Sequence, residues 1–87
     1  MEAGIEARGV AMEAISTLVQ IKHVMVELIL KPAGVPSEIY RSLLYEKDAS
    51  TGWVLSKRQL APLIIEAVEK ISDGSDIIRA IVEIAAN

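Results

Sequence analysis

Few side chains in this chain of 87 residues are of types that could carry a reaction, and their spacing argues against each. His23 is the single histidine, and the chain has no cysteine, so the Cys/His sets and HExxH spacing of zinc sites are missing. A solvated or half-buried surface imidazole is the expectation for it. Glu46 and Asp48 stand two apart with Ser50 and Thr51 nearby, but the acidic spacing and closing glutamate of a calcium loop are lacking. Ser50-Thr51-Gly52 does not fit the GxxxxGK[ST] pattern of a phosphate loop. Asp73 and Asp76 flank a helix start, where carboxylates are expected as caps and dipole partners. No nucleophile, base and orienting group can be assembled from this set. The expectation is a non-enzymatic chain with neither metal nor cofactor.

Binding chemistry is better represented. Tyr40, Tyr45 and Trp53 are the only aromatics, and with Arg41, Lys47, Lys57 and Arg58 they fall within nineteen residues. Aromatics and arginine dominate the energetics of protein interfaces. Basic residues interleaved with aromatics also suit base stacking and phosphate contact. Trp53 carries a structural expectation too: with one of the tyrosines it plugs the bundle's open end. Lys22 is the second conspicuous residue, because it falls within a broad apolar arc where an unpaired ammonium is costly. Its head snorkels out between helices, pairs with an acid from another helix, or marks a binding strip.

The elements that must position these residues read as helices. From Val10 to Leu30 the pattern predicts one long helix with Glu13, Ser16, Thr17, Gln20, His23, Glu27 and Lys31 on one narrow side. The remaining arc, from Ala11 and Ile15 through Leu18, Ile21 and Val26 to Leu28 and Leu30, is about twice as wide as a one-sided surface helix shows. Such a helix needs neighbours on two flanks. Gly4 and Gly9 predict fraying of the turns before it, and Pro32 predicts its end at Lys31. Ser37 is expected to cap a short second helix through Leu44, with Ile39, Leu43 and Leu44 inward and Arg41 and Ser42 outward.

Tyr45 to Leu55 reads as a polar loop anchored by Trp53, or else as a β-hairpin pairing residues 44–46 with 53–55 around a turn ending at Gly52. Ser56-Lys57-Arg58-Gln59 is a capping-box pattern that opens a third helix, with Leu60, Leu63, Ile64, Ala67, Val68 and Ile71 as its apolar stripe. Pro62 should remove one backbone bond and bend that helix near Arg58. Gly74 is expected to close it in a left-handed conformation, and a fourth helix carries Ile77, Ile78, Ile81, Val82, Ile84 and Ala85. The predicted fold is therefore all-α: residues 1–87 form a single small bundle of four to five helices around a long central N-terminal helix. The abrupt end in a strongly apolar helix suggests the N-terminal domain of a longer protein.

Composition restricts the setting. The hydrophobic fraction is 52% with no phenylalanine, so the apolar content is mostly Ile, Val, Leu and Ala. That is more aliphatic surface than so small a monomer easily hides, which favours an exposed apolar patch. Net charge is −3, with no basic excess of the kind nucleic-acid binding shows. A membrane span over residues 10–30 would place Glu13, Gln20, Lys22, His23 and Glu27 in hydrocarbon. With no signal-peptide layout and no cysteine, a cytoplasmic setting is expected.

In size, helical content and inferred N-terminal location the chain is similar to small helical adaptor domains of death-like or effector-associated type. Those join signalling or defence proteins through self-association. The likeness is one of architecture and assigns no residue a role. The leading expectation is a protein–protein interaction domain that self-associates or docks a partner through Tyr40, Arg41, Tyr45, Lys47, Trp53, Lys57 and Arg58. The alternative is a nucleic-acid-binding domain that inserts the third helix, with Lys57, Arg58 and Gln59 at its reading end.

Overall fold

The computed structural model describes residues 4–87, and these form five helical rods with no β-strand. The first rod joins α1 (Ile5–Glu13) to a π-helical turn, Ala14–Leu18. Gly4 is the N-cap of α1 and Gly9 lies within it. The turns expected to fray are thus helical from Ile5 onward, and residues 1–3 lie outside the described part.

The expected continuous helix is broken after Leu18. Val19 is extended, with φ −127° and ψ 133°, and Ile21 is extended as the N-cap of α2 (Lys22–Met25). A second π turn, Val26–Leu30, leads into α3 (Lys31–Ala33). Each π turn accommodates more residues than an α turn, so the 3.6-residue phase is lost at two places and reset at the break. This is why the broad arc is only partly buried. Ala11, Ala14, Ile15, Met25, Val26, Ile29 and Leu30 reach the core, whereas Leu18, Ile21 and Leu28 remain exposed.

Pro32 does not end this rod. The Lys31 N–H donates to Val26 O five residues back, and Pro32 follows within the first turn of α3, where a missing N–H is tolerated. Gly34 ends it instead, at φ 89°. Its N–H donates to Lys31 O at 3.0 Å, and the Val35 N–H donates to Leu30 O at 3.0 Å. These paired closing bonds need a left-handed residue, which glycine adopts without steric penalty.

α4 (Ser37–Tyr40) and a 3-10 turn, Leu43–Tyr45, form the third rod, shorter in α-helix than expected. Pro36 rather than Ser37 is the cap, and the Ser37 hydroxyl accepts from Arg41 Nη2 at 3.2 Å. Ile39, Leu43 and Leu44 do pack against the core, with Arg41 and Ser42 outward.

α5 (Lys57–Glu69) begins with the capping box the sequence predicts. Ser56 Oγ accepts the Gln59 N–H at 3.2 Å while Gln59 Oε1 accepts the Ser56 N–H at 2.9 Å. Leu60, Ala61, Ile64, Ile65 and Val68 form its buried stripe, and Leu63, expected within it, lies at the exposed edge. The helix continues through Pro62.

Gly74 is not left-handed. α5 closes by bonds from Lys70 N–H to Ala67 O and from Ile71 N–H to Val68 O, and Gly74 is the first residue of α6 (Gly74–Ala86). It is buried because α6 starts against the end of α5: a Cβ at this position would stand 2.0 Å from Val68 O.

The rods share one core. α1 packs on α5 and α6, the first π turn lies on α5, and α3 meets α6. Full burial of a large aliphatic contributes about 1.5–3 kcal/mol, so Ile15, Met25, Ile29, Leu30, Leu60, Ile64, Ile65, Ile78 and Ile81 hold the fold together. The Cα radius of gyration is 12.2 Å, against about 12 Å for a compact chain of this length.

Candidate functional site

The segment between the third rod and α5 is a minimal hairpin. The Asp48 N–H donates to Trp53 O at 2.8 Å, the Leu55 N–H donates to Glu46 O at 2.9 Å, and Lys47 bridges Val54. The hairpin alternative therefore describes this segment better than the loop, with its first arm displaced by two residues. Leu44 and Tyr45 are taken up by the 3-10 turn, so pairing starts at Glu46. Gly52, at φ 75°, closes the tip and donates its N–H to Asp48 O at 2.8 Å.

Asp48 ties this tip to α5. Its Oδ1 accepts the Ser50 N–H at 2.7 Å and the Ser50 hydroxyl at 2.6 Å, and its Oδ2 accepts from the Gln59 side-chain amide. The Ser50 hydroxyl first, then the Ser50 N–H and Gln59, hold the Asp48 carboxyl below its ordinary range.

Trp53 is 76% exposed, so it does not plug the bundle. It sits at the hairpin tip with its backbone N–H donating to Thr51 Oγ1 at 3.2 Å, and Leu55, two residues on, is the one that reaches the core. Tyr40, by contrast, is buried, with 6% of its surface exposed. Its ring belongs to the core, and it can face a ligand only where it lines a groove.

The lysines near the helix break have fixed partners. Lys22 Nζ donates to Leu55 O at 2.6 Å, and Lys57 Nζ donates to Val19 O. Both contacts thus tie the joint at this break, residues 19–22, to the segment entering α5. Among the described residues Lys22 pairs with no acid; its half-buried side chain donates to a carbonyl, which meets the cost of withdrawing it from water. Lys57 and Gln59 are consequently engaged within the fold. Of the three residues expected at the nucleic-acid reading end, Arg58 alone carries no such contact among the described residues, and the Asp48 carboxylate lies beside them.

Two surface features remain. The first is apolar: Ile21, Val24 and Leu28 recur at three- and four-residue spacing along the second rod and are 64%, 37% and 55% exposed. Leu18, Tyr45, Trp53 and Val54 are further large exposed side chains. The second is a partly open groove of about 340 Å³ lined by His23, Val26, Glu27, Lys31, Tyr40, Arg41, Leu44 and Tyr45. Lys31 Nζ and Glu27 Oε1 pair along one of its walls at 2.8 Å. The hydrogen bond and charge of Glu27, with a smaller contribution from Tyr40, raise the Lys31 ammonium above its ordinary value.

The groove unites three of the seven residues that the sequence singles out, Tyr40, Arg41 and Tyr45. Lys47 and Trp53 stand apart on the hairpin, Lys57 is engaged at the joint, and Arg58 is on the exposed side of α5. The groove's other wall, His23, Glu27 and Lys31, is visible in the sequence only as a polar strip at four-residue spacing. No group of three or more potential metal ligands occurs among the described residues, and none of their helices is long and apolar enough to cross a membrane. No protein-family model, curated protein or solved structure matches this chain.

Proposed function

We propose that this chain is a non-enzymatic α-helical protein–protein interaction domain that self-associates or docks a protein partner. The observation that carries this reading is the exposed ridge of Ile21, Val24 and Leu28; Leu18, at the end of the preceding rod, is exposed as well. Regularly spaced aliphatics left in water on a helix are the pattern by which one helix seats against another. Exposed Trp53 and Tyr45 add aromatic anchors of the kind that concentrate binding energy. The engagement of Lys57 and Gln59 within the fold argues against the nucleic-acid alternative.

Light scattering over a wide concentration range tests the self-association form. The expected result is a mass that rises with concentration for the natural chain and stays monomeric for Ile21→Glu with Leu28→Glu. Both sites are exposed, so the doubly substituted chain should keep its melting midpoint. A natural chain that is monomeric throughout eliminates self-association and leaves docking of a different protein.

A further inference from the structure

The groove between the second and third rods has a chemistry distinct from that of the ridge. Val26 is buried beneath it, Leu44 is half-buried, and the Tyr40 ring is held in the core, so the floor is apolar and pre-formed. Around this floor stand Lys31, Arg41 and His23, opposed by one acid, Glu27. In a chain of net charge −3, this small concavity carries a formal charge of +1 with His23 neutral.

The charges are not equally available. Lys31 is paired with Glu27 at 2.8 Å, whereas the Arg41 guanidinium donates to the neutral Ser37 hydroxyl at 3.2 Å. Arginine offers a planar fork of five N–H donors matched to a carboxylate. Glu27 and Lys31 neutralise each other, so Arg41 is the cation left to pair an incoming anion; one carboxylate matches it, whereas a second charge would be withdrawn from water with no cation to pair it. The volume of about 340 Å³ lies at the lower end of ligand pockets, which run from about 300 to 1,000 Å³. Tyr45, exposed at the rim, supplies an aromatic wall.

We propose that this groove binds a small organic monocarboxylate, with its carboxylate on Arg41 and a ring-sized apolar body over Val26 and Leu44 between the tyrosines. His23 offers a ring N–H at the rim, and Glu27, by holding Lys31, sets the selectivity against doubly charged groups. The site is independent of the ridge, so either assignment stands without the other.

The test is a titration of the isotope-labelled chain followed by NMR, with benzoate, phenyl phosphate and benzyl alcohol as probes. Benzoate should give saturable shifts confined to residues around His23, Lys31, Tyr40 and Arg41, and benzyl alcohol should give none there. Phenyl phosphate should bind several-fold more weakly than benzoate, and Glu27→Gln should reverse or abolish that preference. Arg41→Gln, at an exposed position, should weaken benzoate at least tenfold with the remaining spectrum unchanged. A response to benzoate that fails to saturate, or maps to the hairpin, or survives Arg41→Gln undiminished, overturns the proposal. A preference of the natural chain for phenyl phosphate overturns the monocarboxylate assignment.

Discussion

One substitution made at two glycines should have opposite signs. At Gly74 an added Cβ would stand 2.0 Å from Val68 O, 3.0 Å from Val68 C and 3.3 Å from Glu69 Cα. Ordinary contact begins at 3.4 Å, so the closest approach falls 3.4 − 2.0 = 1.4 Å short. All three neighbours are backbone atoms at the end of α5, so no side chain can swing aside. The turn between α5 and α6 must open, pulling Ile77, Ile78 and Ile81 away from their seats. Overpacking of a core costs about 1–3 kcal/mol, and a backbone clash belongs at the upper end. A chain of this size has a total stability of about 4–13 kcal/mol, and about 3 kcal/mol corresponds to a loss of roughly 12–24 °C in Tm. Gly9 also lies in a helix but is exposed, with nothing within 4 Å of the place its methyl group would take. Alanine there should stabilise by about 0.5–1 kcal/mol through reduced backbone entropy. Thermal and urea denaturation of Gly74→Ala and Gly9→Ala beside the natural chain measure both. A Gly74→Ala melting midpoint within a few degrees of the natural chain, or a destabilised Gly9→Ala, refutes the reasoning.

Three further outcomes are expected. Lys22→Met and Lys57→Met should each cost about 1.5–3 kcal/mol, the range for a charged hydrogen bond, and the double variant should lose less than their sum, because either loss already loosens the joint; strict additivity in denaturation would show that the two contacts are independent. Trp53→Ala should change stability by no more than about 0.5 kcal/mol, as expected of a residue 76% exposed; an unfolded variant would restore the plug assignment. The Asp48 carboxyl is held low in the folded chain, so its contribution is present above the unfolded value of about 3.9 and is lost as pH falls through the folded value. The stability difference between the natural chain and Asp48→Asn should therefore be flat from neutrality to about pH 5 and shrink below about pH 4; a difference that grows on acidification would contradict the assigned hydrogen bonds.

The parts of the fold that are legible in the sequence are those governed by local chemistry. Ser56 and Gln59 specify the start of α5 because both halves of a capping box lie within four residues, and the stripe from Leu60 to Val68 keeps one phase for its whole length. The first thirty residues obey no single phase. Two π turns and an extended Val19 interrupt them, and no residue type marks a π turn, so periodicity alone merges two rods into one. Two glycines act where the local pattern does not put them: Gly34, beyond the Pro32 expected to end the rod, takes a left-handed closing position, whereas Gly74, expected to be left-handed, is required by a close approach of two helices that only tertiary packing reveals. Hydrophobicity alone places Trp53 inside, but a hairpin of one bridge leaves its tip clear of the core and sends Leu55 inward. The groove is half legible: Tyr40, Arg41 and Tyr45 stand out by residue type, while His23, Glu27 and Lys31 acquire a role only when the third rod is laid beside the second.

The joint after Leu18 leaves an uneven imprint on how this chain can diverge. Both of its ammonium groups donate to main-chain oxygens, and every amino acid supplies one of those. For the sake of these contacts, positions 19 and 55 can drift in side-chain identity, answering only to packing, while positions 22 and 57 must each keep a long cationic donor. Paired substitution between the ends of either contact is therefore not selected. Among diverged copies of this gene, the joint would show as two solitary lysines with no correlated partners, and pairwise covariation would pass over the attachment that joins one half of the chain to the other.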